Sequence, residues 1–154
     1  MSGRIRHGLA ALAAILWVTS FFLPAVWTGE WEMGWTIALI GWAGPVMLQF
    51  GWYANFLMIP ALRMLAFGEP GGGFDAMSKM SLALVLLWVN TLFPIALPSD
   101  PGPAYATAYG AGYYAWMASL LIVFGGLFLL AWRRPKAGRA QIEGLETEDG
   151  VVSS

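Results

Sequence analysis

Four long stretches of this chain contain no Asp, Glu, Lys or Arg, and they constrain its fold more than any other feature. They cover residues 8–29, 33–62, 80–99 and 101–132. Each is between 20 and 32 residues long, which is enough for one transmembrane helix of roughly 20 apolar residues. Their apolar runs do not alternate with polar residues as barrel strands do, and a helix also satisfies its backbone groups in lipid. The pattern therefore predicts a helical membrane protein.

We predict an all-α fold, an integral membrane bundle of four transmembrane helices. The helices are expected at residues 8–27, 35–59, 80–97 and 112–132. Pro60 and Pro98 follow the second and third helices, where proline commonly ends a helix. The transmembrane domain is assigned to residues 1–135. Residues 136–154 are polar and rich in carboxylates, so we expect a disordered, acidic cytoplasmic tail.

The basic residues all fall on one side of the membrane if four helices alternate in direction. They are Arg4, Arg6, Arg63, Lys79, Arg133, Arg134, Lys136 and Arg139. The opposite side carries only Glu30, Glu32 and Asp100. Because Lys and Arg are retained in the cytoplasm, this distribution predicts that both termini are cytoplasmic. We expect a multi-pass protein of the bacterial cytoplasmic (inner) membrane, surrounded by the lipid bilayer.

The composition argues against several classes of function. The chain has no Cys and one His, which removes thiol chemistry and leaves little basis for a metal site or cofactor. Its net charge of −1 provides no cationic surface for nucleic acid. No ionisable residue lies inside a predicted helix, and His7 has no evident Ser and acid partners. We therefore predict no catalytic residues, no metal, no cofactor and no enzymatic activity.

A small set of polar and indole side chains is predicted to form a layer in the middle of the membrane. Trp17, Gln49 and Asn90 each lie about ten residues from the inner end of a predicted helix, at about 1.5 Å per residue. Trp88 is close to Asn90 in sequence, and Pro94 cannot donate a hydrogen bond to the Asn90 carbonyl. The layer is either a structural clamp, which we favour, or a site for a small apolar or aromatic ligand.

Small residues form stripes on two of the predicted helices. They are Gly44, Gly51 and Asn55 on the second helix and Ala115, Ser119 and Gly126 on the fourth. Such stripes allow helices to approach closely, either inside the bundle or against another subunit. The leading hypothesis is a non-enzymatic inner-membrane protein that packs against a membrane-protein partner or a second copy of itself. The alternative is binding or transport of a small apolar or aromatic ligand.

Three apolar segments of this tryptophan-rich chain resemble those of a protein family. The run GWYANFLMIPALRML is similar to a Gly-Trp-x-Ala-Asn-Pro segment of small four-helix bacterial membrane proteins with no established function. The runs FFLPAV and GYYAWMASLLIVFGG are similar to the first and last helices of those proteins. Phe56 stands where that segment has Pro. The resemblance implies a four-helix membrane fold and carries no activity to transfer.

Overall fold

The computed structural model describes residues 1–68, 74–97 and 102–132. Its α-helices are α1 (Gly3–Ser20), α2 (Gly34–Ile40), α3 (Ala54–Phe67), α4 (Phe74–Asn90) and α5 (Ala111–Trp132). Two short 3-10 helices, Gly41–Met47 and Gly51–Tyr53, connect α2 to α3. We call residues 41–53 the 3-10 segment. The strands are β1 (Pro24–Trp27), β2 (Trp31–Met33), β3 (Ala96–Leu97), β4 (Ala104–Tyr105) and β5 (Ala108–Tyr109).

The four longer helices, α1, α3, α4 and α5, pack into one bundle, and α5 contacts each of the other three. The buried face of α3 repeats every three or four residues, as an amphipathic helix requires; it consists of Ala54, Met58, Ala61 and Leu65. Leu120, Val123 and Leu127 supply the same spacing on α5 and are fully buried. The core therefore lies where α5 meets its neighbours.

Two small antiparallel sheets cover one end of the bundle. β1 lies between β2 and β5, and β3 pairs with β4. The turn from β1 to β2 contains Gly29 at φ 117°, a backbone conformation that glycine adopts without steric cost. α1 and α4 end beside these sheets and α5 begins there, so we call this the sheet end. The opposite end carries Arg4, Arg6, Arg63 and Lys79, and we call it the basic end.

The prediction of an all-α bundle with four transmembrane helices is wrong. Among the described residues, α5 is the single helix that is long and apolar enough to cross a membrane. α1 includes Arg4 and Arg6 and stops at Ser20, because residues 24–27 form a strand that pairs with β2 and β5. α4 has 17 residues and carries Asp75 and Lys79 near its start. The five strands also exclude an all-α description.

The second predicted helix, residues 35–59, is broken in its centre. Pro45 cannot donate a hydrogen bond to the Gly41 carbonyl, so a regular α-helix loses a bond there. The chain instead forms 3-10 turns, and Leu48 adopts a left-handed conformation with φ 57°. The helix resumes at Ala54 and runs through Pro60, which lies inside α3 rather than at its end.

Several predictions fall on parts of the chain outside the described residues. They are the role of Pro98 as a helix end, the position of Asp100, the basic residues after α5 and the acidic tail at 136–154. The domain boundary after residue 135 lies there as well. The described bundle nevertheless includes all of the side chains predicted to form the polar layer and the small-residue stripes.

Candidate functional site

A cavity of about 200 Å³ lies at the sheet end of the bundle. Its lining comes from the end of α1, from β1 and β3, from α2 and the 3-10 segment, and from the ends of α3, α4 and α5 that lie there. Five aromatic rings of the described residues line it: Phe21, Trp52, Phe93, Tyr113 and Trp116. None of the described residues that line it is charged. The cavity is therefore an apolar space with a few polar side chains in its wall.

Glycine allows one wall of the cavity to form. Gly41 packs directly against the indole ring of Trp52, so closely that a Cβ atom at this position would overlap the ring. The indole N–H of Trp52 donates to the carbonyl of Ala38 on α2, at 2.8 Å. These two contacts hold the Trp52 ring against the end of α2 and the start of the 3-10 segment. The shape of the wall thus depends on the absence of a side chain at Gly41.

Asn90 holds the 3-10 segment against the end of α4. Its Oδ1 accepts hydrogen bonds from the backbone N–H groups of Phe50 at 2.6 Å and Gly51 at 2.9 Å. Its Nδ2 donates to the carbonyl of Leu48 at 3.2 Å. The side chain therefore satisfies three backbone groups around the left-handed turn. Because α4 ends at Asn90, this amide lies at the end of its helix and not midway along it.

Gln49 makes a second link between the same two elements. Its Nε2 donates to the carbonyl of Pro94, which follows α4, at 3.0 Å. Gln49 and Asn90 both line the cavity and are both half-buried. The structure thus brings these two amides to the lining of one cavity. Trp17 and Trp88, the other members of the predicted polar layer, do not line it.

Trp17 belongs to a different hydrogen-bond cluster, centred on Asn55. The Oδ1 of Asn55 accepts from the indole N–H of Trp17 at 2.8 Å and from that of Trp116 at 2.9 Å. Its Nδ2 donates to the carbonyl of Trp52 at 3.0 Å. One amide on α3 therefore joins α1 and α5. Sequence reasoning assigned Asn55 to helix packing and did not single out Trp116.

Trp88 links α4 to α5 away from the cavity. Its indole N–H donates to the carbonyl of Met117 at 3.2 Å. One helical turn further along, the hydroxyl of Tyr113 donates to the carbonyl of Thr91 at 2.8 Å. Tyr113 and Thr91 line the cavity and were not predicted. A buried Tyr hydroxyl generally needs a hydrogen-bond partner. A Tyr in the first turn of α5 was therefore the sequence signal that could have identified this contact.

The predicted small-residue stripes are used inside the chain. Gly51 packs against the side chain of Thr91, and a Cβ atom at Gly126 would lie 2.7 Å from Cδ1 of Leu65. Ser119 is fully buried, and its hydroxyl donates to the carbonyl of Trp116 at 2.7 Å. Gly44 lines the cavity, and Ala115 is half-buried on α5. Gly51 therefore lets the 3-10 segment approach α4, and Gly126 lets α5 approach α3.

The described lining of the cavity offers amide, indole and hydroxyl groups and no charged side chain. The described part of the chain holds no group of three or more His, Cys, Asp or Glu side chains that could hold a metal ion. His7 is exposed at the basic end, beside the carbonyl of Gly3. No protein-family model, curated protein or solved structure matches this chain. The cavity is therefore the feature of the described structure from which a function can be inferred.

Proposed function

We propose that this chain is a membrane-embedded, non-enzymatic protein that binds a small, uncharged, ring-containing ligand in the cavity at the sheet end. The observation that carries the proposal is the cavity itself, about 200 Å³ in volume and lined by aromatic rings. A dry apolar cavity of roughly 150 Å³ binds benzene. The volume here is therefore suited to a ligand of one or two rings.

The hydrogen bonds around the cavity support binding by a preformed site. Trp52, Asn90 and Tyr113 each bond to a backbone group of another element. Their positions are thus set before a ligand arrives, which reduces the entropy lost on binding. An ion would lose its hydration without gaining an opposite charge in the wall, at a cost of several kcal/mol or more. These features favour an uncharged ligand.

The outer surface of the bundle supports an environment of lipid. Large apolar side chains are exposed on each of the four packed helices; examples are Ile15, Ile59, Leu86 and Phe128. Extensive exposed apolar surface marks a protein–protein or membrane contact. α5 supplies a helix long enough to cross the membrane. We propose that α5 crosses the bacterial inner membrane, with the basic end toward the cytoplasm because Lys and Arg are retained on that side.

Packing against a partner protein or a second copy through the small-residue stripes has less support. Gly51, Ser119 and Gly126 already contact groups of this chain. A stripe that is filled from within leaves no close-packing surface for another helix. The cavity, in contrast, is a feature that packing of the bundle alone does not require.

The proposal is tested by adding one- and two-ring aromatic compounds to the full chain in lipid nanodiscs. We expect saturable binding, detected as a change in tryptophan fluorescence and as a rise in the unfolding temperature. Ala43→Phe places a ring in the cavity wall and should reduce the affinity at least tenfold. Ala115→Phe, at a half-buried position that does not line the cavity, is the matched control. Equal affinity in the two variants, or no saturable binding to the unmodified chain, would reject the proposal.

A further inference from the structure

The polar side chains in the cavity wall differ in how many of their hydrogen-bonding atoms are paired with other groups of the protein. Asn90 accepts two hydrogen bonds at its Oδ1 and donates one from its Nδ2. Asn55 has the same pattern, with two indole donors and one carbonyl acceptor. The hydroxyl of Tyr113 donates to a carbonyl. The side-chain oxygens of Asn90 and Asn55 are therefore both occupied by protein donors.

Gln49 differs from these side chains. Its Nε2 donates to the carbonyl of Pro94 at 3.0 Å. Because a carbonyl oxygen only accepts, this bond fixes which end of the amide points toward Pro94. The other end, Oε1, receives no hydrogen bond from residues 1–68, 74–97 or 102–132. The cavity wall therefore contains one amide oxygen that has no protein donor within the described structure.

The rim of the cavity is apolar on the same side. Val46 and Phe93 both line the cavity, and they are 83% and 63% exposed. Val46 lies in the 3-10 segment with Gln49, and Phe93 directly precedes Pro94, whose carbonyl accepts from Gln49. In a lipid-embedded bundle, such a rim is in contact with hydrocarbon. A ligand that passes it has to be soluble in lipid.

We propose that the cavity takes a lipid-soluble phenol-type ligand, an uncharged aromatic ring with one hydroxyl group, and that this hydroxyl donates a hydrogen bond to Oε1 of Gln49. The inference rests on the proposed function and adds the chemical class of the ligand. A ring without a donor would cover Oε1 and leave it unpaired, which is costly for a buried acceptor. A hydroxyl on the ring restores the lost bond, and an ionised group is disfavoured because the described wall is uncharged.

The test compares 2-naphthol with 2-methylnaphthalene, which has a methyl group in place of the hydroxyl. Affinities are measured for the full chain in nanodiscs, after subtracting the partitioning of each compound into empty nanodiscs. We expect the unmodified chain to prefer 2-naphthol by about 3- to 10-fold, the range of one neutral hydrogen bond. Gln49→Met removes the acceptor and should abolish the preference, measured as the ratio of the two affinities for the same variant.

A second variant separates the role of the acceptor from that of the link to Pro94. Gln49→Glu also loses the Nε2 donor but keeps an acceptor oxygen, so it should retain the preference for 2-naphthol. Equal binding of both compounds to the unmodified chain, or a preference that persists in Gln49→Met, would overturn this inference and leave the proposed function standing. If neither compound binds the unmodified chain, the proposed function fails and the inference fails with it.

Discussion

The indole N–H of Trp17 on α1 donates to the side-chain oxygen of Asn55 on α3, at 2.8 Å. Trp116 on α5 donates to the same oxygen from the other side, at 2.9 Å. Three helices therefore share one acceptor at the level of the cavity. Asn55 on α3 therefore ties α1 and α5 together through one side-chain oxygen.

The first prediction concerns that shared acceptor. Asn55→Leu should lower the free energy of unfolding by about 2 kcal/mol, because two half-buried indole donors lose their acceptor. Each unpaired donor costs about 1–3 kcal/mol, and relaxation of the structure recovers part of that cost. Unfolding of the purified protein in mixed detergent micelles measures the change. Thr107→Val, at an exposed hydroxyl on the sheet end, is the control and should change stability little. If Asn55→Leu left the free energy of unfolding unchanged, the indole groups would have found other hydrogen-bond partners.

The second prediction concerns the clamp at Asn90. Asn90→Leu removes three hydrogen bonds around Leu48, Phe50 and Gly51. We expect faster amide hydrogen exchange at the two N–H groups that Asn90 accepts from, and a loss of ring-compound binding of at least fivefold. Stability should fall by about 1–2 kcal/mol, since backbone groups at the cavity wall lose their partners. Exchange measured by mass spectrometry on peptides spanning residues 48–53 provides the test.

A control for Asn90→Leu is available on the same helix. Ser81 on α4 also donates across the bundle, to the carbonyl of Phe124, but lies far from the cavity. Ser81→Ala should lower stability slightly and leave both the exchange at residues 48–53 and ligand binding unchanged. Unchanged exchange in Asn90→Leu would show that the 3-10 segment keeps its turn without this clamp.

Two of the polar side chains of the site, but not the others, could be predicted from the sequence. Gln49 and Asn90 stand out because few uncharged amides occur in the apolar stretches, and both line the cavity. Trp17 was grouped with them by depth along a helix, and Trp88 by its closeness to Asn90 in sequence. Depth does not specify the direction in which a side chain points around the helix, and these two indoles point to Asn55 and to the Met117 carbonyl instead.

The boundaries of the first three predicted helices could not be predicted because hydropathy does not distinguish a buried strand from a helix. Residues 24–27 are apolar and free of charge, yet they form β1 because their backbone groups pair with β2 and β5. Of these two partners, β5 (Ala108–Tyr109) lies some eighty residues away along the chain, so it leaves no local signal in the sequence. The effect of Pro45 on the Gly41 carbonyl was foreseeable. The reversal at Leu48 was not, because it depends on Asn90 from another helix.

The third prediction concerns the wall formed by Gly41. Gly41→Val should displace the Trp52 ring, because a Cβ atom at this position overlaps it. The displacement breaks the indole bond to the Ala38 carbonyl and changes the shape of the cavity. We expect at least a tenfold loss of affinity for ring compounds and a shifted tryptophan emission maximum. Gly8→Val is the control, since nothing lies within 4 Å of a Cβ atom there. Unchanged affinity in Gly41→Val would show that the Trp52 wall does not shape the ligand site.

The fourth prediction compares two adjacent glycines in the middle of α5. Gly125→Ala should raise the free energy of unfolding by about 0.5–1 kcal/mol, because alanine is the better helix former and nothing lies within 4 Å of a Cβ atom at this position. At Gly126 the added Cβ atom would lie 2.7 Å from Cδ1 of the fully buried Leu65, so part or all of the same gain should be lost to repacking. Unfolding of the two variants in the same detergent provides the comparison. Equal stabilisation by both changes would show that Leu65 moves freely, and that α3 and α5 are less closely packed than the contact at Gly126 indicates.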